Sequence, residues 1–323
     1  MEFLPYSLKW LELILRWGHV LFAILWVGNS FLFNFIDNKL NKDISSEDID
    51  GEGYLMHSGY YYKLLRLKKS PPSQYLNNLV IFKWQSYLTF VTGILLLIII
   101  YYYNSGVLMV DKRVLEIAPL NAILISILFL VISWFVYDLL CKSRIINNNV
   151  LFLSIIFILL ALISFSLTKI FGPKFAFLSV GLVMGSIMFG NVFTVIIPNQ
   201  MNIISSSSKN EKFDTSLSLA AKQRSLHNNY STFLVLFIML SGHYSFIVYH
   251  KYNWLILLSL QIQQFNIKQM IFYLAFPKKM KVCLGKINGL SYLKLNNLVG
   301  IMLKYIKVIF IITKVLNLKN SVV

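Results

Sequence analysis

Cysteine and charge are both scarce in this sequence of 323 residues. Only Cys141 and Cys283 are present, and neither belongs to a CxxC or CxxCH motif. That excludes a disulfide framework, a cysteine zinc site and a covalently attached c-type haem. Charged residues make up 13% of the chain, against roughly 25% in a typical soluble domain. P-loop, HExxH, paired-carboxylate and Ser–His–Asp patterns are absent as well, so the common hydrolytic and nucleotide-binding classes have no support.

Long apolar runs dominate what is present, since 57% of the residues are hydrophobic. Runs of 18 or more residues recur along the chain, and each is long enough to cross a hydrocarbon core of ~30 Å as a helix. We expect helices at roughly 9–36, 82–103, 118–140, 150–170, 175–198, 230–250 and from 253 onward. The sequence therefore predicts an all-α, polytopic transmembrane bundle of seven or eight helices.

The basic residues are distributed as in a membrane protein, although a net charge of +17 would also suit nucleic-acid binding. The loops after the first, third and fifth predicted helices hold twelve Lys and Arg residues, whereas the alternate loops hold five. Cytoplasmic loops carry this excess. We therefore expect a multi-pass protein of the inner membrane with a periplasmic N-terminus, partnered by the lipid bilayer and not by nucleic acid.

The last sixty residues differ in character from the rest. Ten lysines and no acidic residue follow Leu260, and the final apolar run is interrupted by three of these lysines. We expect a membrane domain over 1–260 and a divergent basic tail over 261–323, with at most one weak further membrane helix. The composition of this tail indicates a frameshifted or truncated product.

The first predicted helix carries a stripe of polar side chains. Steps of four and three connect Glu12, Arg16, His19, Ala23, Trp26 and Ser30. Such a stripe must face the bundle interior, because a lipid-facing charge costs several kcal/mol. His243, in the predicted sixth helix, lies at a similar predicted depth to His19. The pair suits the two axial positions of a non-covalent haem b, with Arg16 near a propionate. Alternatively, His19 only hydrogen-bonds a neighbouring helix.

A second polar cluster is predicted at the cytoplasmic ends of the helices. It comprises Lys83, Trp84, Tyr137, Asp138, Asn199, Gln200, Lys222, Arg224, His227, Asn228 and Asn229. A guanidinium fork, several amides and a helix N-terminus together suit a planar anion. The alternative is snorkelling and helix capping at the membrane interface.

Several segments resemble the membrane domain of the bacterial membrane-bound urate hydroxylases, a family described by a urate oxidase N-terminal domain. They are "LRWGHVLFAILWVGNSFLFNFIDN", "FKWQSYLTFVTGILLLIIIYYYN", "FVYDLLCKS", "NVFTVIIPNQ" and "KQRSLHNNYSTFLVLFIMLSGHY". The resemblance implies oxidation of urate to 5-hydroxyisourate in purine catabolism. Members typically carry a C-terminal cytochrome c domain, which this sequence lacks, so a separate cytochrome c-type acceptor is expected. The first helix is also similar to that of the membrane-type protoporphyrinogen oxidases, which bind haem b through a histidine there.

The resemblance implies that the polar cluster binds urate. We expect Arg224 and His227 to be catalytic, with His227 accepting a proton. We expect urate to be bound by Arg224, Asn228, Asn229, Lys83, Trp84, Asn199 and Gln200. Two other functions stay open, namely a non-catalytic haem b or electron-transfer subunit, and an inactive truncated relic.

Overall fold

A computed structural model of the protein describes residues 3–259 except 45, 77 and 210–213. The described chain is an all-α helical bundle with one small hairpin. Its helices are α1 (Phe3–Lys39), α2 (Ser73–Leu76), α3 (Trp84–Leu96), α4 (Ser105–Leu108), α5 (Pro119–Lys142), α6 (Asn149–Ile170), α7 (Pro173–Asn191), α8 (Ile197–Ser208), α9 (Thr215–Ser241) and α10 (Ser245–Val248). Two π-helical segments, Leu97–Tyr102 and Val192–Ile196, extend α3 and join α7 to α8, and Arg144–Asn147 forms a 3₁₀ turn.

Five of the described helical spans are long and apolar enough to cross a membrane. They are Tyr6–Lys39, Trp84–Tyr102, Pro119–Lys142, Asn149–Ile170 and Pro173–Ser208. These correspond to the first five predicted helices. The predicted seventh helix begins within the described residues, which are helical over 253–259. Its continuation and the predicted tail 261–323 lie outside them.

The predicted sixth helix, 230–250, is wrong at both ends, because α9 begins at Thr215 and ends at Ser241. Asp214 caps the helix by accepting hydrogen bonds from the Ser216 Oγ at 2.6 Å and backbone N at 2.8 Å. These bonds also lower the pKa of the Asp214 carboxyl. The prediction placed the start where apolar residues begin, but the helix carries buried polar side chains before that point, at Arg224, Asn228 and Asn229.

The fifth predicted helix, 175–198, continues to Ser208. Pro198 does not end it, because the π-helical segment precedes it and the proline falls in the first turn of α8. Because the helical backbone is continuous from α7 through Val192–Ile196 into α8, the proline costs one helical N–H donor but does not interrupt the span.

The long first loop contains an antiparallel hairpin that the sequence analysis did not predict. Strands β1 (Ile49–His57) and β2 (Tyr60–Leu67) pair from His57 opposite Tyr60 outward. The two-residue turn has positive φ at Ser58 (50°) and Gly59 (84°), the geometry of a type I′ hairpin turn.

Helix α7 is the centre of the bundle and packs against α5, α6 and α9. Its aromatic side chains Phe175 and Phe177 are almost fully buried. A Cβ added at Gly181 would lie 2.9 Å from Cγ2 of Ile238 on α9. The small residue therefore sets the close approach of these two helices, as small residues commonly do between packed membrane helices.

Candidate functional site

His19 of α1 is held against α3. Its Nδ1 lies 2.9 Å from the carbonyl oxygen of Thr89 and 3.1 Å from Oγ1 of Thr92. A carbonyl can only accept, so Nδ1 carries the ring hydrogen and Nε2 keeps its lone pair. A Cβ added at Gly93 would lie 3.0 Å from the ring Cε1 of His19, so the glycine leaves the space that the imidazole fills. Sequence reasoning found His19 but not these three residues of α3.

The two residues predicted to accompany His19 at a haem are placed less favourably. His243 is exposed in the turn after α9. The depth predicted for His243 assumed a helix over 230–250, whereas α9 ends at Ser241. His243 as a second haem ligand therefore loses this support and stays a prediction. Arg16 forms an ion pair with Glu12, at 2.7 Å, and its side chain is 55% exposed. Within the described residues, Nε2 of His19 makes no hydrogen bond, so this nitrogen remains available to a ligand.

Arg224 is buried in an ion pair. Its Nη2 lies 2.6 Å from Oδ1 of Asp138, and both side chains are less than one-tenth exposed, at 4% and 7%. The other carboxylate oxygen of Asp138 pairs at 2.6 Å with Lys142, whose side chain is 68% exposed. The guanidinium that the sequence assigned to urate is therefore neutralised inside the protein.

A directed chain of hydrogen bonds leads from Arg224 to His227. Arg224 Nη1 donates to Oδ1 of Asn191 at 3.0 Å. Asn191 Nδ2 donates to the Tyr137 hydroxyl at 3.2 Å and to Oδ1 of Asn228 at 2.9 Å. The Tyr137 hydroxyl lies 2.7 Å from Nδ1 of His227, and Sγ of Cys141 lies 3.9 Å from the same nitrogen. A phenolic oxygen can accept two hydrogen bonds, so either tautomer of His227 satisfies this contact. When Tyr137 is the donor, His227 carries its hydrogen on Nε2.

Beyond His227 lies a cavity of about 320 Å³ between α5, α6, α7 and α9. Its walls are aliphatic and aromatic apart from one end, where Tyr137, His227 and Ser231 meet Ser133. His227 stacks on Phe152 with ring centroids 5.2 Å apart. A cavity of this volume falls within the range of small-molecule sites. Sequence reasoning missed it, because the pattern of a single helix does not reveal a space between four helices.

Among the described residues, two buried side-chain amide atoms, on α9 and α3, make no hydrogen bond. Asn229 accepts a 2.6 Å hydrogen bond from Ser30 of α1 through Oδ1, while its Nδ2 makes none. Oε1 of Gln85, on α3, likewise lacks a donor. Helices α1 and α3 run antiparallel, with His19 beside Gly93 and Phe33 beside Phe82, so Gln85 lies near the level of Ser30. We call Gln85 and Asn229 the amide pair. A donor and an acceptor left unpaired are what a polar ligand would satisfy.

Comparison with known proteins gives one clear result. The family model described as urate oxidase N-terminal matches residues 5–292, which is most of the chain. The chain belongs to this family. Neither the curated proteins nor the solved structures include a match to the chain. Membership of the urate oxidase N-terminal family suggests a urate-related oxidase function.

The predicted catalytic and substrate-binding residues lie in several different environments. Arg224 and Asn228 lie in the buried network, His227 borders the cavity, and Asn229 faces α1. The remaining four lie elsewhere. The ammonium of Lys83 is 5.7 Å from the ring of Trp84, which is exposed. Asn199 donates to the carbonyl of Leu217 at 3.1 Å, and Gln200 is exposed. Helix α9 therefore supplies the polar core, while the other predicted contacts are peripheral.

Proposed function

We propose that this chain is a membrane-bound oxidase that converts urate to 5-hydroxyisourate. Its multi-pass bundle would lie in the bacterial inner membrane with the N-terminus in the periplasm, and electrons would leave to a separate acceptor, for which the resemblance implies a cytochrome. Family membership supports the chemistry. The observation that carries the proposal is the amide pair, since Gln85 and Asn229 offer a ligand one buried acceptor and one buried donor.

Urate matches the amide pair in its hydrogen-bonding pattern. Near neutral pH it is a planar monoanion whose edges alternate N–H donors and carbonyl acceptors. A ring N–H can donate to Oε1 of Gln85, and an oxygen can accept from Nδ2 of Asn229. The apolar cavity beside His227 is a poorer place for urate, because an anion there would lose its hydration without gaining enough polar partners.

Arg224 can contribute to urate binding in two ways. Paired with Asp138 as observed, it orders the network that positions Asn228, the residue that precedes Asn229 on α9. Alternatively, it exchanges Asp138 for urate and binds the anion bidentately, as the sequence predicts. A lysine at this position would keep the charge but not the fork, because an ammonium offers only a point charge.

Urate binding and turnover by purified variants test the proposal. Asn229→Ala should weaken urate binding at least about tenfold, the scale of losing a charge-assisted hydrogen bond. The matched control is Asn104→Ala, whose amide donates only to the carbonyl of Ile100, at 3.0 Å. If both variants bind urate with equal affinity, the amide pair is not part of the urate site.

Arg224→Lys separates the two roles of the arginine. If Arg224 binds urate directly, this variant should bind urate more than tenfold more weakly. If Arg224 only orders the network, affinity should change much less than in Asn229→Ala. Haem content should stay the same in both cases, because Arg224 contacts Asn191 and Asp138 and none of the residues assigned to the haem.

A second candidate function, haem-linked electron transfer, is favoured by the setting of His19. A ligand histidine usually donates its other N–H to a carbonyl, which fixes the tautomer and orients the ring. His19 meets this condition through Thr89, so its Nε2 could hold a non-covalent haem b. The haem would supply one-electron transfer between the substrate and an acceptor.

Haem binding can be tested without any measurement of urate. His19→Ala should abolish the Soret band of the purified protein. The two-ligand hypothesis expects the same loss in His243→Ala. Retention of the band in His243→Ala alone would assign the second ligand to another residue, and retention in both variants would contradict the haem hypothesis.

A further inference from the structure

The cavity beside His227 is open to the outer surface of the bundle. Four residues of its wall are also exposed on that surface, namely Leu128 (55%), Ile132 (49%), Val136 (37%) and Leu153 (43%). They belong to α5 and α6, two of the helices apolar enough to cross a membrane. In a membrane, this opening faces lipid, so a molecule that enters there must be lipid-soluble.

The cavity is elongated, with its polar groups near one end. Its wall extends along α5 from Leu128 to Tyr137, a rise of about 13 Å at 1.5 Å per residue. Tyr137 and His227 lie at one end, Ser133 lies one turn further in, and the remaining length is aliphatic and aromatic. An occupant should therefore combine a flat polar head with an apolar tail.

Two hydrogen-bonding groups at the polar end are available to that head. In the tautomer in which Tyr137 donates to Nδ1, His227 presents an Nε2–H, and this nitrogen makes no hydrogen bond within the described residues. Ser133 is only 6% exposed and lines the cavity, and its hydroxyl has no partner in the described part of the chain. Both groups can donate, so they match a ligand that presents acceptor oxygens.

We propose that this cavity binds a membrane quinone and that the quinone is the first electron acceptor of the protein. A para-quinone has a flat ring, acceptor carbonyl oxygens and an isoprenoid tail, which match the stacking wall at Phe152, the donors and the apolar length. The reaction balances as urate + water + quinone → 5-hydroxyisourate + hydroquinone: urate is oxidised by two electrons and gains the oxygen of water, two protons are released from urate and water together, and the quinone takes up both electrons and both protons. This acceptor role rests on the proposed urate chemistry, whereas the binding site does not.

The binding test uses purified full-length protein and a short-tailed benzoquinone, with affinity followed by quenching of tryptophan fluorescence. Ser133→Ala should weaken binding about three- to tenfold, as expected for one neutral hydrogen bond. Ile156→Phe should weaken it by narrowing the cavity. The matched control, Ser164→Ala, removes another buried hydroxyl without a partner, on α6 but outside the cavity, and should bind quinone like the parent.

Two results would overturn the binding site. One is equal quinone affinity in the parent, Ser133→Ala and Ser164→Ala. The other is complete displacement of the quinone by phospholipid without a quinone head, since that would show a cavity filled by an acyl chain only.

The acceptor role is tested separately, by anaerobic urate oxidation with either the benzoquinone or ferricyanide as electron acceptor. The role is supported if urate reduces the quinone, and if Ser133→Ala slows this reaction but does not slow urate oxidation with ferricyanide. The acceptor role is overturned if the protein oxidises urate with ferricyanide but not with the benzoquinone. Quinone binding without urate oxidation by either acceptor would contradict the proposed function and leave the binding site supported.

Discussion

Replacing Asp138 should destabilise the protein more than replacing either of its partners. Asp138→Asn preserves the shape of the side chain but leaves the guanidinium of Arg224 buried without an anion. Breaking a buried ion pair in this way costs about 3–5 kcal/mol. At about 1.4 kcal/mol per decade, the unfolding equilibrium should shift by roughly two to almost four orders of magnitude.

The two basic partners should give smaller effects, for different reasons. Lys142→Ala removes a pair in which the lysine side chain is 68% exposed, and exposed pairs contribute about 0–1 kcal/mol. Arg224→Gln leaves Asp138 charged but still paired with Lys142, so its cost should fall between those of the other two variants. The variants differ in cost because, among the described residues, Asp138 pairs with two cations whereas Arg224 pairs with one anion.

The measurement is the free energy of unfolding in mixed micelles, titrated with a denaturing detergent and followed by far-ultraviolet circular dichroism. The double variant Asp138→Asn with Arg224→Gln should cost less than the sum of the single variants, because neither charge is then left alone. If Asp138→Asn costs no more than Lys142→Ala, the reasoning about the buried pair is refuted.

Three further predictions concern other parts of the molecule. Gly93→Ala should displace the His19 ring and reduce any haem absorbance. Gly28→Ala, where an added Cβ meets nothing within 4 Å, should leave that absorbance unchanged. Equal spectra of the two variants would contradict the role given to Gly93. Gly181→Ala should destabilise the bundle by about 1–3 kcal/mol, because the added methyl group overpacks against Ile238. The same unfolding assay measures this, and Gly185→Ala, where an added Cβ meets nothing within 4 Å, is the control. A topology reporter fused within loop 37–81 should show a cytoplasmic location, and a periplasmic result would reverse the proposed orientation.

Sequence reasoning located the helices and much of the polar core because each leaves a signal within one segment. Apolar runs predicted five spans. The spacing of the first-helix polar residues predicted an inward stripe, of which His19 and Ser30 contact α3 and α9 while the side chain of Arg16 is 55% exposed. The Arg224 cluster was recognised from its density of amides and charges. Its link to Asp138 gives that cluster a buried ion pair.

The parts that were missed depend on partners from distant segments. Asn191 lies within an apolar run, and only its bonds to Tyr137, Arg224 and Asn228 show that it connects the network. The start of α9 was misplaced because buried polar side chains were taken for a loop. The cavity has no sequence signal, since its walls are ordinary aliphatic residues on four helices.

The π-helical turn between α7 and α8 has a geometric consequence for the asparagines on either side of it. Asn191 and Asn199 are eight residues apart, and in an uninterrupted α-helix their side chains would point about 80° apart. A π turn accommodates one extra residue, which reduces this difference to about 20°. Both asparagines can then reach α9, Asn191 through Asn228 and Asn199 through the carbonyl of Leu217. One additional residue at Val192–Ile196 thus brings two successive stretches of helix into register against the same neighbour.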